Sequence, residues 1–457
     1  MNSKSGPNVL VFLTDQQRWD CAGLHGNPLD LMPNFDRLAR AGTHVRHSFT
    51  CQPVCGPARS CLQTGRYATQ LDTHINGVTL PPNARTLAHH FAGVGYRTGY
   101  IGKWHLGDVN SAGPVKPEER GGYQDWLAAN QLEYTSDAYA TNLYDEQGQE
   151  KHLPGYRVDA LTDAAIRYVA TQRDQPFFLF LSYLEPHHQN YRDDYPAPDG
   201  YAERYQGRWV PPDLLALGGT THSHLAGYYG MVKRLDEALG RVYDALKSTG
   251  QLEDTVLLFT SDHGCHFKTR NGEYKRSCHD ASIRVPTMFH GPGFMGGGDR
   301  AELVSLLDLP PTLLDAAGLP VPTEMQGRSL LRRLRGGTAV EWPDDVFVQI
   351  SEAQNARAIR TRRWKYCVSV QGADAKAACH ARDWPEYTEE ALYDLASDPY
   401  ELINLAGFAS HAATCAVLRE RLLRRMAAAG EPLPRIHPSP VRPTPGQRTV
   451  TTAETLE

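Results

Sequence analysis

The sequence lacks any apolar run long enough to cross a membrane. A membrane-spanning helix needs about 20 consecutive apolar residues, whereas the apolar run nearest the N-terminus extends only from Val9 to Leu13. That run is also too short for the core of a signal peptide, and Thr14-Asp15 follows it where a small-residue cleavage site would stand. We therefore expect a protein without a membrane span or an export signal, located in the cytoplasm.

An excess of basic residues is also missing. The chain carries 47 Lys and Arg against 52 Asp and Glu, for a formal net charge of −5. A nucleic-acid partner would require a basic face, so we expect none. The nine cysteines show no zinc-type spacing, even where Cys51, Cys55 and Cys61 lie close together. We expect free thiols in a reducing compartment, with a Cys51–Cys55 disulfide as the minor alternative.

Strand and helix patterns alternate along the first three quarters of the chain, which has 457 residues. Continuous apolar runs at Val9 to Leu13, Phe177 to Leu184 and Thr255 to Thr260 predict strands covered on both faces. Apolar residues at three- and four-residue spacing predict a long helix from about Ser223 to Lys247. This alternation predicts an α/β domain over residues 1–340, with a large, mostly parallel sheet sandwiched by helices.

The pattern changes after about residue 340. Short strand patterns follow at Asp345 to Ile350, Ala356 to Arg360 and Trp364 to Val368. With a helix from about Ser410 to Ala428, they predict a smaller C-terminal α+β domain over residues 341–430, built on an antiparallel sheet. Residues 431–457 are rich in proline and polar side chains, which predicts an extended or disordered tail. Such a tail could reach a neighbouring subunit, so a homo-oligomer stays open.

Metal-type side chains follow two of the predicted buried strands. Asp15 lies just past the first strand, and Asp262 and His263 lie just past Thr255 to Thr260. Each group alone could merely form a turn. In open α/β sheets, however, ligands bind at the carboxyl ends of the strands. We therefore expect both groups at one edge of the sheet, as parts of a metal site.

Cys55 begins the most informative segment, Cys-Gly-Pro-Ala-Arg59, which is followed by Thr-Gly-Arg66. This Cys-x-Pro-x-Arg pattern resembles the signature of the sulfatase family, in which the cysteine is oxidised to formylglycine. Cys51-Gln-Pro starts in the same way but has Cys55 where arginine is required, so Cys55 is the candidate. An aldehyde hydrate has two hydroxyls, so one can attack sulfur and the other can later expel sulfate.

The resemblance to the sulfatase family continues in order from about residue 7 to residue 407. That ordered set is far more specific than one short pattern, which would arise by chance in many proteins. The further family-like segments are Lys103-Trp-His105, Leu184-Glu-Pro-His187, Thr260-Ser-Asp-His-Gly264, Lys275 ahead of Ser282-Ile-Arg-Val-Pro286, Leu307 to Leu314, Gln326 to Leu330, and Leu392 to Leu405 with Asp398, Glu401 and Asn404.

The resemblance implies one divalent cation, bound by Asp15, Gln16, Asp262 and His263, with the modified Cys55 completing the shell. Gln16 stands where many sulfatases have a second aspartate, and His263 where many have asparagine. Hard calcium prefers oxygen ligands, whereas imidazole also suits manganese or zinc. We expect Ca²⁺, with Mn²⁺ as the alternative.

The resemblance also implies a set of cationic and basic catalytic residues. Arg59 and Lys103 would hold the formylglycine and its charge, and His105 would be the base that releases sulfate. His187 and Lys275 would bind the sulfate and protonate the leaving oxygen. Charge builds on that oxygen as the ester is cleaved, so cationic groups around it fit the chemistry.

Three functions are consistent with these residues. The first is hydrolysis of a glycan or aryl sulfate ester after a formylglycine-generating enzyme has converted Cys55. The second is a phosphonate monoester or phosphodiester hydrolase, because pairs like Asp15-Gln16 and Asp262-His263 also occur among such relatives. Lys103-Trp-His105 is the sulfatase-like form and favours sulfate. The third is a catalytically silent relative that binds sulfated ligands.

Some residues near the expected site have no assigned role. His188 and His266 neighbour proposed site residues, and we interpret both as bystanders. The polar and aromatic segment from about Gln189 to Thr221 is either a solvated surface loop or a rim that recognises the organic part of the substrate.

Overall fold

A computed structural model describes residues 6–171, 173–336, 340–442 and 448–456. The larger of its two sheets runs in the order β11-β2-β10-β8-β1-β7-β3-β4-β5-β6, and β9 pairs with β2. Its strands are β1 (Asn8–Thr14), β2 (Thr43–Phe49), β3 (Arg97–Lys103), β4 (Asp125–Ala129), β5 (Thr141–Tyr144), β6 (Glu150–Leu153), β7 (Phe177–Ser182), β8 (Thr255–Ser261), β9 (Arg284–Val285), β10 (Met288–His290) and β11 (Gly298–Ser305).

The centre of the large sheet is parallel. Strands β8, β1, β7, β3 and β4 all run in the same direction, whereas β10, β5 and β6 pair antiparallel with their neighbours. Every residue of β1 and β8 is buried, as expected for strands covered on both faces. The predicted α/β fold class is confirmed, as a mixed sheet whose parallel centre carries the longest buried strands.

Helices cover both faces of this sheet. Alternate residues of β1 enter two separate apolar clusters, Leu10 and Phe12 on one face and Val9 and Val11 on the other. The helices are α1 (Pro33–Ala41), α2 (Cys55–Thr64), α3 (Leu87–Ala92), α4 (Leu132–Thr135), α5 (Arg157–Ala170), α6 (Tyr201–Tyr205), α7 (Pro212–Leu217), α8 (Thr221–Ser248), α9 (Asp280–Ile283), α10 (Leu309–Ala316), α11 (Leu330–Gly336), α12 (Ala375–Ala378), α13 (Ala412–Ala428) and α14 (Thr452–Thr455). Within the described ranges, none of them is long and apolar enough to cross a membrane.

The second sheet has five strands in chain order. They are β12 (Asp345–Ile350), β13 (Ala356–Thr361), β14 (Trp364–Ser369), β15 (Glu386–Asp394) and β16 (Arg435–His437). The first four pair antiparallel, and β16 adds in parallel to β15. Strand β16 and helix α14 both fall in the stretch predicted as an extended or disordered tail, of which residues 443–447 and 457 lie outside the described part.

A buried ion cluster joins the second sheet to the segment that leads into α9. Lys365 on β14 contacts the Asp280 carboxylate, and its Nζ lies 2.6 Å from Glu401 Oε1. Glu401 Oε2 accepts the backbone N–H of Asp280 at 2.7 Å. Arg270 donates to the backbone oxygen of Glu401 at 2.9 Å. The second sheet, through Lys365, and the loop after β15, through Glu401, therefore hold both ends of the segment 270–280.

Candidate active site

The site lies where the parallel strands of the large sheet end. Asp15 follows β1, and Asp262 follows β8, its hydrogen-bonded neighbour, with Thr14 paired to Ser261 at the last step. The Asp262 backbone N–H donates to Thr14 O at 3.2 Å, and the Gln16 N–H donates to Asp262 Oδ1 at 3.1 Å. Residues 246 positions apart in the chain are thus brought together at the expected sheet edge.

Four buried side chains at this edge could hold a metal ion. The ligand atoms of Asp15, Cys55, Asp262 and His263 all lie within 4.8 Å of one another. His263 Nδ1 lies 3.1 Å from the backbone oxygen of Gly264, which directs Nε2 into the cluster. There Nε2 is 3.6 Å from an oxygen of each aspartate.

Gln16 adds a fifth donor to this cluster. Its backbone has φ +67°, a region that non-glycine residues adopt rarely. The amide Nε2 donates to Tyr195 Oη at 3.0 Å, while the buried Oε1 accepts no hydrogen bond from any residue in the described ranges. An unpartnered buried oxygen is costly, and a cation would satisfy it. Two carboxylates, an amide oxygen and an imidazole are a donor set that fits a divalent cation.

Cys55 is the first residue of α2 and is 2% exposed. Its Sγ lies 2.8 Å from Lys275 Nζ, 3.2 Å from His263 Nε2 and 3.6 Å from Asp15 Oδ1. Burial opposes ionisation, but Lys103, Lys275 and His263 hold the pKa of the Cys55 thiol well below its ordinary value. The expected free thiols are found, because all nine cysteines are unpaired.

Arg59 and Lys103 place two buried cations behind Cys55. Arg59 follows one turn later on α2, and its Nη2 lies 3.0 Å from Asp15 Oδ2. Lys103 ends β3, and its Nζ lies 2.8 Å from the same oxygen. Burial and Cys55 raise the pKa of Asp15, but Lys103, His187 and Arg59 hold it well below its usual range. Asp15 is therefore an anion throughout the physiological range.

Two histidines line the open side of Cys55. His105 follows β3 with φ +62°, and His187 lies 3% exposed after β7. His187 Nδ1 is 2.6 Å from the backbone oxygen of His188, so Nδ1 carries the proton and Nε2 is the unprotonated nitrogen, on the side of the ring that interacts with Cys55. Burial and Lys275 lower the pKa of His187. The His187 imidazole is therefore neutral at pH 7 before substrate arrives.

Cys55 lies at the bottom of a cavity of about 360 Å³. The cavity brings together four of the predicted catalytic residues, Cys55, His105, His187 and Lys275, while Arg59 and Lys103 lie behind its wall. Its lining is completed by Asn76, Gln131, Glu133, Tyr134, His188, Asn190, Glu273, Tyr274, Arg276, Glu352 and His380.

The sequence reasoning missed several of these lining residues. His188, interpreted as a bystander, lines the cavity, and its Nδ1 lies 3.5 Å from Gln16 Nε2. His266 instead contacts the backbone oxygen of Lys275 at 3.0 Å. The segment from Gln189 to Thr221 contributes Asn190 to the lining. Glu133 lies four residues beyond β4, so the argument from strand ends that found Asp15 could have found it.

Two family models match this chain. The model described as "Sulfatase" matches residues 7–319, which span the large sheet and every predicted metal-binding and catalytic residue, whereas Glu352 and His380 of the cavity lining lie beyond it. The model described as "N-sulphoglucosamine sulphohydrolase, C-terminal" matches residues 272–428, from the segment that carries Lys275 to the end of α13.

Individual proteins resemble the chain over nearly its full length. The ulvan-active sulfatase of Formosa agariphila is 26% identical over 446 residues, covering 93% of this chain and 82% of that protein. The N-acetylglucosamine-6-O-sulfatase of Bacteroides thetaiotaomicron is 23% identical, covering 89% and 84%. Among solved structures, yidJ, a candidate sulfatase of Bacteroides fragilis, superposes with a TM-score of 0.81 at 24% identity, covering 95% of this chain and 98% of that one.

Proposed function

The chain belongs to the sulfatase family and is a sulfuric ester hydrolase, and from this premise we propose that its nucleophile is a formylglycine made from Cys55 and its substrate a sulfated sugar. The observation that carries the proposal is the position of Cys55. Its sulfur faces Lys275 at 2.8 Å, belongs to the four-residue donor cluster and opens onto the cavity. A formylglycine-generating enzyme is the partner that this modification requires.

The donor cluster would hold the cation of the reaction. Asp15, Gln16, Asp262 and His263 would bind one divalent cation, proposed to be Ca²⁺, which supplies positive charge to polarise a bound sulfate. Arg59 and Lys103 keep Asp15 ionised. The same two cations orient the Asp15 carboxylate from behind, because both contact its Oδ2.

The remaining residues move protons and stabilise charge. A formylglycine hydrate supplies one hydroxyl for attack on sulfur and a second for the release of sulfate. His105 accepts the proton that is lost when sulfate leaves. Lys275 and His187 face the departing oxygen, where negative charge develops and must be stabilised. An anionic ester beside His187 opposes the lowering of its pKa, so substrate favours the protonated imidazole that can donate to that oxygen.

The cavity lining supports a sugar as the organic part of the substrate. Gln131 offers an amide group, Asn190 offers an amide oxygen that has no hydrogen-bond partner among the described residues, and Tyr134 offers a phenol that is 59% exposed. Such groups hydrogen-bond hydroxyls, while an exposed aromatic ring can cover a sugar face. A relative that covers most of this chain is named for an N-acetylglucosamine sulfate ester, which agrees with this class.

Mass spectrometry of the peptide that contains Cys55 tests the nucleophile. After co-expression with a formylglycine-generating enzyme, we expect the mass loss of thiol-to-aldehyde conversion, together with turnover of an aryl sulfate. Cys55→Ala should abolish turnover. Cys61→Ala, which removes a buried thiol from the same helix but outside the cavity, is the matched control and should keep it. Full activity with an intact Cys55 thiol would refute the proposed nucleophile.

The alternative function is tested with the same preparation. Gln16 and His263 depart from the commonest sulfatase pattern, and the resemblance to phosphonate and phosphodiester hydrolases rests on them. We expect kcat/KM to be higher for an aryl sulfate than for the matching aryl phosphonate monoester or phosphodiester. The reverse order would make phosphorus esters the main substrates.

A further inference from the structure

Glu133 is a buried carboxylate of the cavity to which the proposed mechanism gives no role. It lies on the one-turn helix α4 behind β4 and is 3% exposed. Its Oε1 lies 3.0 Å from Lys103 Nζ. Its Oε2 accepts no hydrogen bond from any part of the chain that the structure describes, and the residue lines the cavity together with Cys55 and His105. One oxygen is therefore paired with Lys103, and the other has no partner among the described residues.

This carboxylate is ionised. Burial alone would raise its pKa, but Lys103, His105 and His187 lower the pKa of Glu133 to about 2. Lys103 also contacts Asp15, so its single positive charge is shared between two carboxylates. An anion consequently stands in a cavity that receives an anionic ester. The arrangement is repulsive unless a hydrogen-bond donor lies between the two charges.

Substrate binding makes the unpartnered oxygen costly. When an ester fills the cavity it displaces water, and a buried carboxylate oxygen without a donor then loses its solvation. Only a donor on the substrate can replace that water. Glu133 is close to the reacting centre, because Lys103 Nζ lies 3.0 Å from Glu133 Oε1 and 2.8 Å from Asp15 Oδ2, and Asp15 Oδ1 lies 3.6 Å from Cys55 Sγ. A substrate donor that reaches Glu133 therefore lies near the ester group.

We propose that Glu133 determines specificity, with its Oε2 accepting a hydrogen bond from a hydroxyl or amino group on the carbon next to the sulfate ester. The inference rests on the proposed function and narrows its substrate class. The class is sulfate monoesters of vicinal diols and vicinal amino alcohols, which sugars and amino sugars provide.

The charges of the rim agree with this class. Arg276 contacts the carboxylate of Glu352 and lies 3.1 Å from that of Glu273, and both carboxylates line the cavity with it. Its guanidinium is therefore already neutralised by the protein itself. Arg276 is therefore not available to bind a second sulfate or a carboxylate group on the substrate.

Three aryl sulfates test the proposal: 2-hydroxyphenyl sulfate, 2-aminophenyl sulfate and 2-methoxyphenyl sulfate. The methoxy compound keeps the oxygen of the first, adds a methyl group and cannot donate; the Glu133 variants described below separate the loss of the donor from the added bulk. Hydrogen bonds to charged groups are worth a factor of about ten or more, so we expect kcat/KM at least about tenfold higher for a donor compound than for the methoxy compound. Comparison of the hydroxyl compound with the amino compound shows which of the two donor groups gives the higher kcat/KM.

Variants assign this preference to Glu133. Glu133→Met, which cannot accept, should bring the ratio of kcat/KM values close to one. Glu133→Gln keeps a neutral acceptor and should lower this ratio severalfold. If the methionine variant does not fold, Glu133→Gln alone provides the test. Conversion of Cys55 is checked in each variant by mass spectrometry, so that the ratios compare equally matured enzymes.

Glu185→Gln is the matched control. Glu185 is also a buried carboxylate with one oxygen on a cation, Arg157 at 2.8 Å, and a second without a hydrogen-bond partner among the described residues, but it does not line the cavity. Its substitution should leave the substrate ratio as in the wild type, whatever its effect on the rates. A wild type indifferent to the donor, or a methionine variant that keeps the preference, overturns the inference while the proposed function stands. If the wild type cleaves none of the three esters, both fail.

Discussion

Lys275 makes the closest polar contact to the sulfur of Cys55, with 2.8 Å between Nζ and Sγ. It reaches the site from the segment between β8 and α9, and it is 4% exposed. A buried ammonium at this distance stabilises negative charge that develops at position 55, and it does so most strongly once a bound ester has displaced the water of the cavity.

Substitution of Lys275 by methionine keeps most of the length of the side chain and removes the charge. Loss of one donor to a developing anion typically costs about 10²–10³ in kcat, and we expect a loss of that order on an aryl sulfate. Initial rates at saturating aryl sulfate measure kcat for the wild type and the variant. Lys233→Met is the control, because Lys233 donates to the backbone oxygen of Asp30 at 2.9 Å, on α8 and outside the cavity. A Lys275→Met enzyme with wild-type kcat would contradict the role given to this lysine.

The burial of Cys55 constrains when it can be converted. At 2% exposure, with the Cys55-Gly-Pro-Ala-Arg59 segment buried inside α2, the folded chain offers a modifying enzyme almost no access. We expect the thiol to be converted in the unfolded chain but to persist when purified, folded protein is treated with the same enzyme. The fraction of aldehyde in the Cys55 peptide measures this. Rapid conversion of the folded protein would mean that α2 opens readily.

The residues of the site differ in how far the sequence could reveal them. Cys55 could be distinguished from Cys51 because only Cys55 has an arginine four positions later. Asp15 and Asp262 could be placed together because both follow buried strands. The same argument from strand ends could have placed Glu133 near the site but could not have given it a role, since that role depends on the distance to Lys103 and on an oxygen without a partner among the described residues. Neither property is visible in the string Asn-Gln-Leu-Glu-Tyr.

Strand β14 and the segment before α9 depend on each other through Lys365. This lysine is fully buried with Asp280 and Glu401, and removing it leaves two carboxylates without their main counter-charge. Breaking a buried ion pair typically costs about 3–5 kcal/mol. We expect Lys365→Met to lower the free energy of unfolding by that amount, measured by urea denaturation at pH 7, and to lower kcat/KM because the segment also carries Lys275.

A surface pair provides the comparison for this buried cluster. Lys151 lies 2.9 Å from Asp145 and is 43% exposed, so solvent screens the pair. Such pairs contribute about 0–1 kcal/mol, and Lys151→Met should change the free energy of unfolding by no more than that. Equal losses for Lys151→Met and Lys365→Met would show that the buried cluster adds nothing special to stability.

The same cluster predicts a dependence of stability on pH. Burial would raise the pKa of Asp280, but Lys365, Arg360 and Arg284 hold it well below its usual range. In the unfolded chain an aspartate titrates at about 3.9. The native state therefore binds fewer protons, so this contribution is complete above about pH 4–5 and is lost as the pH falls further. Between pH 5 and pH 3.5, wild type should lose more free energy of unfolding than Asp280→Asn. Parallel curves would contradict the assignment.

Elements with strong periodicity could be predicted, and weakly patterned ones could not. The long helix was expected from about Ser223 to Lys247 and runs from Thr221 to Ser248, because its apolar stripe is nearly unbroken. Strand β11 was not predicted. Its N-terminal half alternates between exposed and intermediate residues, and it joins the sheet only by pairing with β2, more than 200 residues earlier. Local sequence carries no signal for such distant pairing.

At the scale of the whole molecule, the site exists because the parallel strands end together. Strands β1, β8, β3 and β7 supply residues from four distant parts of the chain, and the second sheet holds the segment with Lys275 against them. The sequence predicted the parallel centre of the sheet. It also predicted that Asp15 and Asp262 lie together at one sheet edge, through the rule that ligands of α/β sheets bind at the carboxyl ends of the strands. It did not predict which side chains line the rest of the cavity. Several of them, such as Asn76 and Glu352, lie on loops whose positions depend on tertiary packing.

A divalent cation at this junction should stabilise the entire fold. The donors follow β1 and β8 and begin α2, so the assembled set exists only in the folded chain. A ligand that binds only the native state stabilises it by about 2.7 kcal/mol at 100 times its Kd, which for a chain of this size corresponds to a rise in Tm of a few degrees. We expect EDTA treatment to lower Tm by that amount and Ca²⁺ to restore it.

The choice of cation and the role of Gln16 can be read from the same thermal titration. Restoration of Tm by Ca²⁺ at lower concentration than by Mn²⁺ would support the proposed ion, and the reverse order would indicate that the His263 imidazole dominates the preference. Gln16→Leu removes the unpartnered Oε1 and should weaken the midpoint of the Ca²⁺ titration by at least about tenfold. Gln17→Leu is the control, because Gln17 is equally buried and also has an Oε1 without a partner among the described residues, but its amide Nε2 contacts Met32 Sδ at 3.1 Å rather than a residue of the donor cluster. If Gln16→Leu binds Ca²⁺ as tightly as Gln17→Leu, the oxygen of Gln16 is not a ligand, and the shell must be completed by Asp15, Asp262, His263 and position 55 alone.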